Sequence, residues 1–254
     1  MGSFYQNGVV ANLHDFSYGL SSENNYKKLE KDLVSFSDDN PMELILPSLL
    51  SEINGTALPN IINEINKTQF LNHVIIGLDK SNHKEYQTAF NFFQQLKTSF
   101  SILWNDGPRL IELDNELKEK GLAPREFGKG RNVWYCIGMT LARGEASSIA
   151  LHDCDILTYN KELLAKLFYP VANPSFNFEF CKGYYPRVAD GKMNGRVSRL
   201  LVFPLLLAME KAIGRSEYLD FMKSFRYPLA GEFSFRKNLL PELRIPSDWG
   251  LEIG

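Results

Sequence analysis

The sequence predicts an α/β fold built on one open, mostly parallel sheet with helices on both faces. Strand-like apolar segments alternate with helix-like segments from residue 42 to residue 155, which is the pattern of such a sheet. The chain has 254 residues, 44% of them hydrophobic, so it can bury a substantial core. Polar residues follow the strand-like segments, and in open sheets ligands bind beyond the carboxyl ends of the strands.

The elements are predicted in chain order as follows. Residues 1–40 are polar at both ends and contain one helix, in which Tyr26, Leu29, Leu33 and Phe36 recur at helical spacing. They are expected to form an N-terminal extension on a single domain of residues 41–254. In that domain we expect strands in MELILP, NHVIIGLD, FSIL and SSIALHDCD, and helices in LPNIINEI, EYQTAFNFFQQL, ELDNELKEKG and VWYCIGMTLARG.

Composition narrows the functional class. The 28 basic and 30 acidic residues nearly cancel, which argues against a nucleic-acid partner. Three scattered cysteines form neither a disulfide framework nor a zinc motif, so a reducing cytoplasm is expected. No export signal is recognised at the N-terminus. The apolar run from Leu200 to Met209 is too short to cross a bilayer and contains Pro204, so it is predicted to be a core helix.

Two aspartates stand one residue apart where the strand of Ser148 to Leu151 should end. Asp153 and Asp155 would direct two carboxylates toward one region, where they repel each other unless a cation lies beside them. Mg²⁺ or Mn²⁺ prefers such oxygen ligands and completes its shell with phosphate oxygens. The alternative is a solvated turn in which Asp153 caps the next helix.

Two further segments carry groups suited to anions. GKGRN (residues 128–132) precedes a helix and offers Lys129 and Arg131 between glycines, although it lacks the Walker spacing and is alternatively a surface turn. NGRVSRLLVFPLL (residues 194–206) offers Arg196 and Ser198 at the start of an apolar helix. Arginine pairs well with carboxylate or phosphate, while the alternative is a basic first turn that binds nothing.

The order and spacing of these pieces resemble glucosyl-3-phosphoglycerate synthase, a retaining glycosyltransferase of the GT-A fold. The resemblance runs from Met42 to Gly254 and rests on LILPSLLSE, VIIGLD, GKGRNVW, ALHDCDI, FCKGYYPR, GRVSRLLVFPLL, PLAGEFSFRKNLL and WGLEIG. The last four pieces are more specific than the aspartate pair. The expected fold is therefore a GT-A domain, Rossmann-like, without the C-terminal part of the family.

The resemblance also implies roles for individual residues. It implies that Asp153 and Asp155 bind Mg²⁺ or Mn²⁺. The residues that it places around the nucleotide-sugar donor are Pro47, Glu52, Asp79, Lys129, Asp153 and Gly231. Those that it places around the acceptor are Gly195, Arg196 and Ser198. Glu252, near Trp249, is a further candidate for acceptor or sugar contacts, or alternatively a frayed, solvated residue at the chain terminus. The catalytic group is expected to comprise Asp155, Lys129 and Glu232, although Glu232 could instead be an acid at a helix N-terminus.

The chain departs from the family in three places. Leu50 and Ser51 precede Glu52 where the family has Asn-Glu-Glu, and DKSNH replaces an Asp-Ser-Gly-Ser loop after Asp79. The family also takes a metal-binding histidine from beyond its GxEIG segment, and this sequence ends at Gly254. Either the sequence is shortened or the metal site is incomplete.

The expected activity is metal-dependent transfer of a hexose, glucose in the first place, from a nucleotide sugar to 3-phosphoglycerate or a related glycerate. Other readings stay open: glucosyl or mannosyl transfer to another small acceptor, or a non-catalytic module that binds nucleotide sugars. A glycosidase would need two carboxylates flanking a sugar, and a nucleotidylyltransferase would need a glycine-rich signature after its first strand. A homodimer is also left open.

Overall fold

The structure, a computed structural model, describes residues 23–184, 188–189, 192–193 and 197–248. Its strands are β1 (Met42–Leu49), β2 (His73–Asp79), β3 (Ser99–Trp104), β4 (Ser148–Leu151), β5 (Phe180–Lys182), β6 (Val188–Ala189), β7 (Lys192–Met193) and β8 (Phe233–Arg236). Six strands form one sheet in the order β3-β2-β1-β4-β8-β5. The first four are parallel, β8 pairs antiparallel with β4, and β5 pairs antiparallel with β8 and so runs in the direction of the first four; β6 pairs with β7 separately.

Nine α-helices are described. They are α1 (Glu23–Phe36), α2 (Leu50–Ile53), α3 (Ala57–Ile65), α4 (His83–Phe93), α5 (Pro108–Glu119), α6 (Lys129–Arg143), α7 (Lys161–Ala172), α8 (Phe203–Ile213) and α9 (Glu217–Ser224). A π-helical turn at Ser198–Val202 leads into α8, and a 3₁₀ turn at Lys237–Leu239 follows β8. None of the helices in these ranges combines the length and apolar character that a bilayer-spanning segment requires.

The sheet is covered on both faces because its central strands are apolar on both sides. In β1, Leu44 and Leu46 pack into one core with helices α3 and α7, whereas Ile45 faces a second core with α6. Such strands have no polar face to leave in water, which is why they read as continuous apolar runs. The predicted α/β class and mostly parallel sheet are confirmed.

Local capping determines where the helices beside the sheet begin. Asn82 accepts from the Glu85 amide at the start of α4, and the Glu85 side chain accepts from the Asn82 amide in return. Asn160 caps α7 by accepting from the Leu163 amide at 3.0 Å. Because Asn160 caps that helix, the alternative that Asp153 does so is excluded.

The predicted segment boundaries hold for most elements and fail at two. β1 extends beyond Pro47, which is tolerated because β4 pairs with β1 only as far as Ile45. The segment GKGRN was predicted as a loop, but α6 begins at Lys129, so most of it is the first helical turn. The predicted helix of residues 1–40 appears as α1, which packs on α7. The division of the chain at residue 40 stays a prediction.

The predicted core helix is wrong in its burial. Residues 197–224, here called the helical arm, comprise the π-helical turn, α8 and α9. Within the apolar run, Leu206 is buried against Leu219 and Met222, but most of its neighbours are exposed. The exposed apolar side chains of the arm are Val197, Leu200, Leu201, Leu205, Leu207, Met209, Ile213, Tyr218 and Phe221. The apolar composition correctly predicted a helix, but the prediction that this helix is buried in the core is wrong.

Candidate active site

Five of the six sequence-predicted donor residues, all but Gly231, meet in one pocket at the carboxyl ends of β1, β2 and β4. The pocket encloses about 250 Å³. Its lining includes the predicted residues Pro47, Glu52, Asp79, Lys129, Asp153 and Asp155. Ser48, Leu49, Lys80, Gly128, Asn132 and Cys154 complete the lining. The parallel strands bring together residues as far apart in the chain as Pro47 and Asp155, as expected for an open sheet.

The aspartate pair lies in the loop of residues 152–160, which joins β4 to α7. Asp153 is partly buried and Asp155 is exposed toward the pocket, while Cys154 between them is buried in the core. The backbone thus turns both carboxylates to the same side, as the motif predicted.

The loop is held at its base by a buried histidine. His152 is fully buried, and burial lowers its pKa to about 4. Its Nδ1 lies 3.0 Å from the Asp153 carbonyl oxygen, and its Nε2 lies 3.1 Å from the Tyr159 hydroxyl. Because both ring nitrogens are hydrogen-bonded inside the protein, His152 is not a metal ligand.

Lys129 is the residue of the GKGRN segment that reaches the aspartates. It is the first residue of α6, and its Nζ lies 2.5 Å from Asp153 Oδ1. The lysine side chain is only 14% exposed, so its charge acts inside the pocket rather than in bulk water. Its predicted place beside the donor phosphates is compatible with this geometry.

The glycines of the same segment do not form a phosphate cradle. The amides of Gly130 and Arg131 donate to the carbonyls of Asp248 and Ser247, at 2.9 and 3.0 Å. A Cβ on Gly130 would lie 1.8 Å from the Pro246 carbonyl oxygen. These glycines therefore let the chain's own segment 246–248 approach the start of α6. The chain itself therefore occupies the amides of Gly130 and Arg131, whereas Gly128 lines the pocket.

Arg131 is also used internally. Its guanidinium Nη2 lies 3.1 Å from Asp114 Oδ1, and its Cζ lies 4.8 Å from the Phe127 ring centroid. Burial raises the pKa of Asp114, but hydrogen bonds from Lys118, Tyr135 and Arg131 outweigh burial and lower it. The predicted role of Arg131 as a second positive charge for a ligand is therefore replaced by an ion pair that fixes α6 to α5.

Gly231 lies against the carboxylate of Asp153, nearest to its Oδ2. A Cβ at this position would come within 2.7 Å of Asp153 Oδ2, so only glycine leaves that carboxylate its place. The next residue, Glu232, is 1% exposed and immediately precedes β8. No helix begins there, so the alternative that Glu232 is an acid at a helix N-terminus is excluded.

Glu52 links the aspartate pair to the end of β1. Its Oε2 accepts from the Leu49 amide at 2.9 Å, which closes the start of α2. Burial raises its pKa, and the nearby charges of Asp155 and Asp153 add to this effect, against the hydrogen bonds from Leu49 and Ser48. The negative charges of both aspartates therefore act on the carboxyl group of Glu52.

Lys80 is a pocket residue that the sequence did not single out. It follows β2 with φ of 52°, the only positive φ of a non-glycine residue in the described ranges. Adjacent backbone is held in place, because Ser81 donates its amide to Asp106 Oδ2 at 2.8 Å and accepts from Trp104 Nε1 at 2.8 Å. The departure of DKSNH from the family loop was the available signal.

The lining fits a divalent cation. It contains four carboxylates, Glu52, Asp79, Asp153 and Asp155, but only the two ammonium groups of Lys80 and Lys129. In the described ranges no three histidine, cysteine, aspartate or glutamate side chains group closely enough to hold a metal. A hard cation that takes two carboxylates and fills its shell with phosphate oxygens and water matches this donor set.

The predicted acceptor residues are only partly described. Ser198 lies in the π-helical turn, 4% exposed, and its Oγ has no hydrogen-bond partner in the described part of the chain. Gly195, Arg196 and Glu252 lie outside the described residues. The structure therefore supplies one unpaired hydroxyl of the predicted acceptor turn and no test of its neighbours.

Comparison with known proteins agrees with the resemblance seen in the sequence. No family model matches the chain. A glucosyl-3-phosphoglycerate synthase of Persephonella marina is 40% identical over 253 residues, which cover 100% of this chain and 61% of that protein. One of Methanococcoides burtonii is 38% identical over 254 residues, with 99% and 60% covered. The chain is homologous to glucosyl-3-phosphoglycerate synthases. It spans about three fifths of the length of these relatives.

Solved structures of a glucosyl-3-phosphoglycerate synthase from Mycobacterium tuberculosis share the fold. The complex with Mn²⁺ and uridine-diphosphate-glucose has a TM-score of 0.60 at 18% identity and covers 88% of this chain and 66% of that one. The complex with Mn²⁺, uridine-diphosphate-glucose and phosphoglyceric acid has a TM-score of 0.58 at 17% identity, with 94% and 69% covered. The predicted resemblance and the GT-A fold are confirmed.

Proposed function

We propose that the chain catalyses metal-dependent transfer of glucose from UDP-glucose to 3-phosphoglycerate or a related glycerate. The observation that carries this proposal is the pocket in which Asp153, Asp155 and Lys129 converge at the carboxyl ends of parallel strands. Homology to synthases of that name supports the choice of donor and acceptor. The structural neighbour that binds Mn²⁺, UDP-glucose and phosphoglyceric acid together supports the cofactor.

The residues of the pocket divide the work by their chemistry. Asp153 and Asp155 would hold Mg²⁺ or Mn²⁺, which when bound supplies positive charge against the leaving diphosphate. Lys129 would stabilise the same charge by electrostatic catalysis, and its low exposure strengthens the effect. Pro47, Glu52 and Asp79 would bind the nucleoside part of the donor.

The sugar and the acceptor would bind on the side of β8. Gly231 would keep the space beside Asp153 open, and Glu232 would accept hydrogen bonds from sugar hydroxyls. Arg196, with Gly195, Ser198 and Glu252, would orient the glycerate so that its hydroxyl faces the anomeric carbon. The family resemblance implies retention of the anomeric configuration, so the pocket needs no dedicated nucleophile.

The direct test is a transfer assay with UDP-glucose, Mn²⁺ and 3-phosphoglycerate. The proposal expects a glucosyl product of retained configuration, with less product from GDP-mannose or from glycerate. An Arg196→Ala variant should raise KM for the acceptor and leave binding of the donor nearly unchanged. Donor binding without any transfer or hydrolysis would contradict the proposal and favour a non-catalytic binding module.

We also propose that the helical arm joins two copies of the chain. The arm exposes more than half of the surface of each of Leu200, Leu201 and Leu207. Contact between the arms of two copies would bury these side chains in both copies. Sedimentation of Leu201→Glu should then show a lighter species than Leu122→Glu, a change at an equally exposed leucine outside the arm. Equal masses for the two variants would contradict this.

The three cysteines agree with the predicted cytoplasmic location. Cys136, Cys154 and Cys181 are all free thiols, and burial raises the pKa of each, so they are poor partners for oxidation. Fractionation of cells that produce the chain would test the location, and recovery outside the cytoplasm would contradict it.

A further inference from the structure

The loop that carries the aspartate pair is closed by a contact between its two ends. His152, directly after β4, meets Tyr159, directly before the cap of α7. The two rings lie 4.7 Å apart between centroids, and the residues are 0% and 3% exposed. The segment between these two residues, which includes Asp153 and Asp155, is therefore anchored at both ends by one buried contact.

The chemistry of the neighbouring groups fixes the direction of both hydrogen bonds. The Asp153 carbonyl can only accept, so the His152 Nδ1 at 3.0 Å must carry the proton. In the neutral ring Nε2 is then an acceptor, and the Tyr159 hydroxyl at 3.1 Å donates to it. The Asp153 carbonyl thus fixes the tautomer of His152, and the Tyr159 hydroxyl completes its hydrogen bonding by donating to the remaining ring nitrogen.

The far side of Tyr159 is anchored as well. Its carbonyl accepts from Asn60 Nδ2 at 3.0 Å, and its ring belongs to the core that contains α3 and α7. The core therefore holds Tyr159 in place, Tyr159 holds the ring of His152, and His152 holds the carbonyl of Asp153. Groups behind a metal ligand that hold it in orientation commonly matter nearly as much as the ligand.

We propose that His152 and Tyr159 are positioning residues, which orient the aspartate pair for the divalent cation and the donor diphosphate. The inference rests on the proposed function, because it needs a cation at these carboxylates. It assigns no contact with substrate to either residue. Their effect passes through the backbone of Asp153.

The test measures Mn²⁺ held by the full chain in the presence of UDP, by electron paramagnetic resonance of the free ion. His152→Leu removes the grip on the carbonyl and should weaken Mn²⁺ binding by about 10- to 100-fold. His152→Asn keeps a donor near the place of Nδ1 and should restore most of that loss. Tyr159→Phe should give a smaller loss, because the bond from His152 to the Asp153 carbonyl remains and only the hydrogen bond from the hydroxyl to Nε2 is removed.

Matched controls separate positioning from stability. His73 is equally buried and also has both ring nitrogens bonded, to Ser99 and Ser101, but it lies at the opposite end of the sheet. His73→Leu should destabilise the fold without changing Mn²⁺ affinity of the folded fraction. Tyr169→Phe removes a hydroxyl that bonds Asp32 far along α7 and should likewise leave the affinity unchanged.

A second readout is independent of metal and nucleotide. A long-range ¹H–¹⁵N correlation spectrum should show His152 protonated at Nδ1 only, in the unaltered protein and in Tyr159→Phe alike, because the Asp153 carbonyl can only accept. Protonation of His152 at Nε2 in the unaltered protein would overturn the inference, even if His152→Leu fails to fold.

The outcomes distinguish the inference from the proposed function. If the unaltered chain fails to hold Mn²⁺ with UDP, both are wrong. If it holds them, and His152→Leu and His73→Leu then behave alike, only the positioning role is wrong. A loss confined to the His152 and Tyr159 variants, with rescue by His152→Asn, supports the inference.

Discussion

The donor pocket and the helical arm were both marked by the sequence, yet they differ in how their residues are used. In the pocket, the residues that follow β1, β2 and β4 converge because parallel strands place their carboxyl ends at the same edge of the sheet. In the arm, an apolar helix buries Leu206 and leaves most of its apolar neighbours exposed. The comparison teaches that a pattern predicts an element, whereas burial depends on what packs against it.

The largest effect should come from the aspartate pair itself. Asp155→Ala removes one of the two carboxylates, and metal-dependent donor binding should fall by more than about 100-fold, beyond the usual cost of losing an outer partner. Titration calorimetry with UDP-glucose and Mn²⁺ measures this. Asp39→Ala, at an exposed turn, is the control. An unchanged affinity for Asp155→Ala would remove the pair from the site.

Acid should weaken the sheet rather than the arm, because no histidine occurs in residues 197–224. Burial lowers the pKa values of His73 and His152 to about 4, below the unfolded value of about 6.5. The unfolded chain then binds protons first as the pH falls, so stability present above about pH 6.5 is lost toward pH 4. Between pH 7.5 and 5.5 each histidine should cost about 1.4 kcal/mol.

Urea unfolding at the two pH values checks this expectation. His73→Gln should reduce the pH dependence by about half of the histidine contribution, since one of the two buried rings is gone. The same dependence in His73→Gln and the unaltered chain would show that carboxylates, not these histidines, set the acid sensitivity.

A single methyl group should disturb the pocket without touching its charges. In Gly231→Ala the new Cβ would lie 2.7 Å from Asp153 Oδ2, so the carboxylate must move, and Mn²⁺ affinity should fall about tenfold. Gly138→Ala is the matched change, because no atom lies within 4 Å of its Cβ position on α6. If both variants bind Mn²⁺ alike, Gly231 has no part in the site.

The smallest effect should be a trade between stability and binding at Lys80. Its φ of 52° is strained for a side chain, so Lys80→Gly should stabilise the fold by about 1 kcal/mol. Loss of the ammonium from the pocket should weaken UDP binding about fivefold. Lys80→Asn tolerates the same backbone and should lose affinity without the same gain in stability. A Lys80→Gly variant that is more stable and also binds UDP more tightly would show that the strained backbone at Lys80 does not contribute to ligand binding.

The sequence predicted the sheet and most of the donor pocket because both follow from local patterns. Apolar segments define the strands, and the polar residues after them necessarily meet at one edge. It failed where distant contacts decide. The glycines beside Lys129 serve segment 246–248, Arg131 pairs with Asp114 on another helix, and His152 bonds a tyrosine across its loop. None of these partners is visible in the local pattern.

The central claim is that Asp153 and Asp155 together hold a divalent cation against a nucleoside diphosphate. Anomalous diffraction from a crystal of the chain grown with Mn²⁺ and UDP tests it most directly. The account predicts one manganese peak between the two carboxylates and the diphosphate, with Lys129 beside the phosphates. A peak elsewhere, with both carboxylates turned toward solvent, would contradict it.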